Sequence, residues 1–166
     1  MAFCFGVLTW VASSGQRTAL ARGLDSAAVS VMEAPLSHPV RVEVGEVRLE
    51  WRGLYICNGL LWLSFRASNR SAIDFRADPV RVYLRDRKAL RRRAMQEQAL
   101  RPVFRKEVGV LGAGRSVLFC AAVLPRVPGR GQELVVEWVE RDGDRRIRLA
   151  VRGKRVLKAV RLNQGR

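Results

Sequence analysis

Apolar and polar residues alternate along much of the chain from Val40 onward, and this period of two most constrains the fold. Successive side chains of a β-strand point to opposite faces, so alternation predicts strands with one buried face. The clearest case surrounds Asn58-Gly59, which has apolar residues at alternate positions on both sides. Asn and Gly tolerate the positive φ angles that a two-residue type I′ turn requires. The pattern therefore predicts a β-hairpin centred on this dipeptide.

Similar signals continue to the C-terminus. Asp142-Gly143 marks a second hairpin, and Gly45 interrupts an alternating strand where a bulge or bend is expected. Together the segments predict an all-β fold, an antiparallel immunoglobulin-like β-sandwich of about seven strands, spanning residues 40–166. Its predicted core contains Leu54, Ile56, Leu61, Leu63, Phe65, Val82, Leu84, Phe119, Val136 and Trp138. Trp62 also fits the buried pattern.

Two segments are less regular. Residues 87–100 have a helical composition but few bulky apolar residues, so a helix and an extended segment are equally compatible with the sequence. Residues 1–39 form an N-terminal lead-in of low order, with a tether-like composition over residues 13–39. The apolar segment 1–12 weakly resembles a secretory signal but lacks the positive residues that normally precede one. No apolar run is long enough to span a bilayer.

Positive charge is concentrated in two parts of the chain. The formal net charge is +16, and only four of the 31 basic residues are lysines. Residues 81–106 contain ten basic and two acidic residues, while residues 146–166 contain eight basic and no acidic residues. Such stretches can contact nucleic-acid phosphates, here through Arg91-Arg92-Arg93 and Arg145-Arg146. The alternative is that arginines on strands form solvated outer faces, with their stems covering apolar surface.

Aromatic residues help to distinguish these two alternatives. Proteins that bind single-stranded nucleic acid stack bases on exposed rings. Most rings in the strand pattern fall on core positions, and only Tyr55 and Tyr83 are candidates for exposure. Nucleic-acid binding is therefore the alternative function rather than the favoured one.

Features of catalytic and metal sites are weak. Cys4, Cys57 and Cys120 have no paired metal-ligand spacing, and buried free thiols are favoured over a disulfide for the last two. His38 has no neighbouring ligand residue. The glycines of residues 109–114 precede a strand, whereas a dinucleotide loop follows a strand and opens a helix. We expect no enzymatic activity, no cofactor, no metal and no small-molecule substrate.

The chain from about Arg52 to the C-terminus resembles the TraN proteins of Bacteroidetes conjugative transposons, also catalogued as an uncharacterised conserved domain. The resemblance begins at Arg52-Gly53-Leu54-Tyr55 and continues through Asn69-Arg70-Ser71 and Asp74-Phe75. Its most distinctive part is a turn at Asp86-Arg87-Lys88 followed by residues 92–97.

The later motifs occur in the same order as in that family. They include residues 119–125, the turn at residues 128–131, Glu140, and Asp142-Gly143-Asp144-Arg145. Arg93 stands where the family usually has Thr, and Asp144 where it has Gly. Relatives carry a signal peptide and another domain ahead of this region, and residues 1–39 resemble neither.

The resemblance implies a non-catalytic structural subunit of a conjugative type IV secretion apparatus. Such a subunit would be periplasmic or associated with the outer membrane, and would assemble with other secretion subunits into a multimeric ring. Because charge is concentrated beside the most distinctive motif, we expect partner docking at an exposed strand edge. The predicted docking residues are Arg92, Arg93, Gln96, Glu97 and Tyr55.

Overall fold

The fold is a β-sandwich with a helix on one outer face. A computed structural model describes residues 14–87 and 97–163. These residues contain twelve strands and two helices: α1 (Ser14–Glu33), β1 (Val40–Val44), β2 (Val47–Cys57), β3 (Leu60–Asn69), β4 (Phe75–Arg76), β5 (Arg81–Asp86), β6 (Glu97–Ala99), β7 (Pro102–Lys106), β8 (Val110–Leu111), β9 (Ser116–Val123), β10 (Gln132–Val139), β11 (Arg146–Arg152), α2 (Gly153–Val156) and β12 (Val160–Arg161). The predicted antiparallel sandwich is confirmed, and eight of the twelve strands have five or more residues.

The first sheet has the strand order β1-β2-β3-β9-β7, with β12 paired in parallel to β2. The predicted Asn58-Gly59 hairpin is confirmed, because the two residues have φ angles of 50° and 73° and join β2 to β3. At Gly45 the prediction of a bulge or bend is wrong. Gly45 and Glu46 have φ angles of 53° and 61° and form a tight turn between β1 and β2. Alternation alone does not distinguish one bent strand from two paired strands.

The second sheet has the order β11-β10-β5-β6, and β4 and β8 form a separate two-stranded sheet. The second predicted hairpin is confirmed between β10 and β11. Its loop is wider than two residues, because the Glu140 amide donates to the Arg145 carbonyl at 2.9 Å. Asp142 has a φ angle of 59°, so the Asp rather than the Gly takes the left-handed position in this loop.

The main core lies between the sheets. Nine of the ten predicted core residues are buried in one apolar cluster, and the tenth, Ile56, is partly buried against it. Its centre is aromatic: the Phe119 ring lies 5.0 Å from Phe65 and 5.4 Å from Trp138, measured between centroids. Burying an apolar side chain of this size contributes about 1.5–3 kcal/mol, so the cluster explains why the two sheets associate.

Helix α1 covers the outer face of the first sheet. Ala27, Ala28 and Val31 pack in a second buried cluster that includes Trp62, whose predicted burial is confirmed. The tether expected over residues 13–39 is therefore replaced, over most of its length, by a packed helix. The sequence pattern of this helix is weak, because small residues such as Ala27 and Ala28 occupy much of the buried face that the structure describes.

The segment predicted to be either helix or strand is extended where it is described. Residues 97–99 form β6 and pair with β5, whereas residues 88–96 lie outside the described residues. The chain passes directly from β6 through Leu100 and Arg101 into β7. Because β6 ends one sheet and β7 ends the other, this short connection places both edges on the same side of the sandwich.

Candidate docking surfaces

The two sides of the sandwich differ. On one side, β1 of the first sheet contacts β11 of the second. The turn at Gly45 comes so close that a Cβ there would lie 2.9 Å from Cδ of Arg145. On the other side, β6 and β7 each pair with one strand only, as far as the described residues extend. We call the side formed by β6 and β7 the open side.

A cleft of about 320 Å³ lies on the open side. It is lined by Val80, Arg81, Val82, Tyr83, Glu97, Ala99, Leu100, Arg101, Pro102 and Arg105. Leu100 fixes one wall, because its amide donates to the Val82 carbonyl at 2.8 Å. On β7, the Val103 side chain is 48% exposed, so the surface offers apolar area as well as charge. The open side can therefore contact an extended segment through backbone groups, charged groups and an apolar side chain.

The two predicted docking residues that the structure describes, Tyr55 and Glu97, lie apart. Glu97 is exposed on β6 at the edge of the second sheet, as expected for a docking residue. Arg92, Arg93 and Gln96 lie outside the described residues. Tyr55 lies on β2 of the other sheet and is 1% exposed, so the structure separates it from Glu97.

The expected exposure of Tyr55 and Tyr83 is wrong. Tyr83 is 4% exposed, and burial raises the pKa of its hydroxyl, as it does for Tyr55. Both face the outer side of a sheet, where alternation predicts contact with solvent. Tyr55 is covered by the α1 region, and Tyr83 lies in a sheet face that also contains ion pairs. The α1 region is distant in sequence from Tyr55, and the carboxylates of these ion pairs, Glu133 and Glu137, are distant in sequence from Tyr83.

Tyr55 instead holds the end of α1, together with Arg52 and Gly53. The Arg52 guanidinium donates to the carbonyl oxygens of Met32 at 2.6 Å and Ala34 at 3.3 Å. The Tyr55 hydroxyl donates to the carbonyl of Pro35 at 2.5 Å. Gly53 is required by packing, since a Cβ there would lie 2.6 Å from the Tyr55 hydroxyl oxygen. We call Arg52, Gly53 and Tyr55 the helix clamp.

Within the helix clamp, Arg52 satisfies a group that the helix cannot satisfy itself, the Met32 carbonyl in the last turn of α1, and Tyr55 bonds to the segment just beyond the helix. The last carbonyls of an α-helix have no partner within the helix, and a positive side chain there also interacts favourably with the helix dipole. The amide of Ser37 adds a bond of 2.8 Å to the Arg52 carbonyl. The motif with which the TraN resemblance begins is therefore a structural contact in this chain.

A second group of motif residues surrounds Arg145. Its guanidinium donates to both carboxylate oxygens of Glu140, to Ser71 Oγ at 3.3 Å and to the Asp74 carbonyl at 3.1 Å. It also lies 5.2 Å from the centre of the Phe75 ring. This bonding lowers the pKa of Glu140 below its ordinary value. Arg145 is thus occupied within the chain, which is contrary to its predicted role as a phosphate contact.

Other arginines are also paired with carboxylates. On the outer face of the second sheet, Glu137 is 4% exposed and accepts from Arg81 at 3.2 Å and Arg148 at 3.0 Å. Glu133 on the same strand pairs with Arg85 at 2.5 Å. These contacts match the alternative in which strand arginines form an outer protein face.

The two cysteines among the described residues show no feature of an activated nucleophile. Cys57 and Cys120 are free and buried, as the sequence predicted. Burial raises the pKa of Cys120 to about 11, which suppresses the thiolate form that reacts. Within residues 14–87 and 97–163, no group of three or more His, Cys, Asp or Glu side chains is arranged to hold a metal ion. In the same part of the chain, no helix has the length and apolarity needed to cross a membrane.

Comparison with known families gives a match over most of the chain. The profile described as "Domain of unknown function (DUF4138)" matches residues 36–161. The chain belongs to this family. A comparison with curated proteins gives no match.

The residues matched by the DUF4138 profile include most of the elements described above. The matched region contains both sheets, the helix clamp and the open side, whereas α1 precedes it. The clamp thus lies in the domain, and the helix end that it holds lies just ahead of the domain. Sequence motifs located the clamp residues, but their partners 18 to 20 positions earlier were not recognisable.

Proposed function

We propose that the protein is a non-catalytic structural subunit of a conjugative type IV secretion apparatus, which transfers DNA between cells. The resemblance to TraN proteins supports a role in this secretion apparatus. The same resemblance supports a periplasmic or outer-membrane location. The observation that carries an assembly role is the open side, where two sheet edges lie together beside a cleft. The DUF4138 domain would act as a rigid unit that other subunits contact through this side.

The chemistry of the open side indicates its partner. Unpaired strand edges recruit further strands, and charged residues or proline on an edge discourage pairing with identical copies. β7 carries Pro102, Arg105 and Lys106. Arg105 pairs with Glu107 at 2.9 Å, but both side chains are about 40% exposed, so the pair can reorganise at small cost. We therefore expect an extended segment with acidic side chains from a different subunit.

Co-purification tests this proposal. In cells that contain the other secretion subunits, a tagged chain carrying Arg101→Glu and Arg105→Glu should lose its partners, and conjugation frequency should fall. The matched control is Arg22→Glu with Arg66→Glu, which reverses two exposed arginines away from the open side. Circular dichroism of both variants establishes that each is folded. Unchanged assembly of the open-side variant, with the control also unchanged, would rule out docking through this side.

The predicted strip that precedes β6 in sequence can be tested in the same assay. Arg92→Glu with Arg93→Glu should also impair co-purification if the strip contributes to docking. These residues precede the exposed Glu97 in sequence, which is the basis for including them. Loss of partners in the Arg101/Arg105 variant alone would restrict docking to the cleft and remove the strip from the site.

The alternative function, nucleic-acid binding, is favoured by charge alone. The Trp and Tyr side chains of the described residues are all buried, so none of these rings is available for stacking on bases. If phosphate contacts existed, six of them would imply a loss of roughly 10³-fold in affinity between 50 and 200 mM salt. A filter-binding series across this range distinguishes the two functions.

A further inference from the structure

A second cleft, separate from the open side, lies beyond the end of β5. It has a volume of about 320 Å³ and is formed by the loop at residues 128–132, by Arg87, and by the segment from Arg152 to Leu157. Backbone bonds hold the walls together: the Arg87 amide donates to the Gly131 carbonyl at 3.0 Å, and the Gln132 amide donates to the Gly129 carbonyl at 3.1 Å. We call this feature the basic cleft.

Among the described residues, four cations and no carboxylate line the basic cleft: Arg87, Arg130, Arg152 and Lys154. All four are exposed, and within the described part of the chain none belongs to an ion pair. By contrast, nine other arginines are paired with carboxylates of the same chain. Like charges that converge on one cavity attract anions and favour an anionic occupant.

The wall of the basic cleft is also apolar in part. Leu157 lines it and is 65% exposed, and Val127, next to the lining residue Pro128, is 73% exposed. As far as the structure describes the chain, no aromatic side chain is among the lining residues. A nucleic acid would find cations here but no ring on which to stack a base, whereas a peptide can supply both carboxylates and an apolar side chain.

We propose that the basic cleft binds an acidic peptide segment of a partner protein, with carboxylates on the arginines and an apolar side chain against Leu157. Guanidinium groups suit this role because their planar donors bind a carboxylate with two parallel hydrogen bonds. The proposal goes beyond docking through the open side, because the two clefts share no residue. It gives the chain a second partner surface on a different part of the second sheet.

Fluorescence anisotropy with the full chain tests the proposal. The ligand is a fluorescein-labelled peptide of glutamates and leucines, and we expect saturable binding. Arg130→Glu with Lys154→Glu should weaken binding by about tenfold, since two attractive contacts become repulsive. Both residues are exposed, one in a loop and one in the short helix α2, so their reversal leaves the core intact.

Matched controls separate local binding from general attraction to a basic protein. Arg22→Glu with Arg66→Glu changes the net charge equally and should weaken binding by less than about threefold. A peptide with glycine in place of leucine should bind less tightly, and an oligothymidine strand should show no dependence on the cleft substitutions. Equal loss in both charge-reversal variants would overturn the proposal, and cleft-dependent binding of the oligonucleotide alone would favour nucleic acid instead.

Peptide binding is measured without other subunits, so its failure leaves the co-purification experiment intact. Conversely, loss of assembly in the open-side variant says nothing about the basic cleft. The two proposals therefore fail independently.

Discussion

At the residue scale, Arg145 shows why a basic residue in this chain cannot be assigned a partner from its neighbours. The sequence places it in a basic stretch, but in the fold it bonds to Glu140 five positions earlier and to Ser71, 74 positions earlier. Its side chain is only 17% exposed, and that of Glu140 is 12% exposed. The pair therefore joins the β10–β11 loop to the segment between β3 and β4.

This pair predicts a specific dependence of stability on pH. Glu140→Gln should lower the free energy of unfolding by about 1–3 kcal/mol at neutral pH, because it removes charge-assisted hydrogen bonds. The folded-state pKa of Glu140 lies below the ordinary value of 4.5. The stabilisation is therefore present above that pH and is lost as pH falls through the folded-state pKa. Urea titrations near pH 7 and near pH 3 should show a difference between the two proteins that shrinks in acid.

Glu107→Gln is the matched control for this pH experiment. Glu107 pairs with Arg105, and both side chains are about 40% exposed, so the substitution should change stability by less than about 1 kcal/mol. A Glu140→Gln effect of equal size at both pH values would show that packing, not charge, accounts for it.

At the element scale, most of the correct predictions came from local sequence patterns. The hairpins at Asn58-Gly59 and around Asp142 depend on residues adjacent in sequence, and both are present. The order of the second sheet was not predictable from local patterns. Its strands β5 and β10 are joined by pairs such as Val82 and Val136, which are far apart in sequence. The position of α1 depends on the helix clamp, which connects residues about 20 positions apart. Such contacts leave no periodic signal.

The helix clamp should control local opening of α1. Arg52→Met combined with Tyr55→Phe removes three hydrogen bonds, and a net loss of roughly 2 kcal/mol would make opening about thirtyfold more frequent. Hydrogen exchange should accelerate in the α1 amides while the amides of β10 remain protected. Arg66→Met, which alters an exposed arginine outside the clamp, should leave both rates unchanged. Equal acceleration in α1 and β10 would mean that the clamp stabilises the whole fold instead.

At the scale of the whole molecule, the sandwich combines one side where β1 contacts β11, the open side and the basic cleft. The sequence predicted that charge would be concentrated near residues 81–106, but it could not show which cations are paired. Pairing is decided by sheet order: Arg81 lies beside Glu137 because β5 is next to β10, 56 positions later in sequence. Tyr55 and Glu97 were predicted to belong to one docking surface. Sheet order separates them, because β2 belongs to the first sheet and β6 to the second.

The excess of positive charge predicts how salt affects the entire fold. Nine arginines have carboxylate partners in the described residues, yet the formal net charge remains +16. Raising NaCl from about 20 to about 300 mM shortens the screening length from roughly 20 to about 6 Å. This screening weakens repulsion between separate charges more than contacts within ion pairs, so the urea midpoint should rise.

A charge-reversal variant tests the cause of this salt effect. Arg130→Glu with Lys154→Glu changes the net charge by four, from +16 to +12, and removes two cations from the basic cleft. Because it reduces repulsion directly, the variant should have a higher midpoint than the original chain at low salt and should gain less from added NaCl. A midpoint that falls as NaCl is added would instead show that attraction within the ion pairs outweighs repulsion across the molecule.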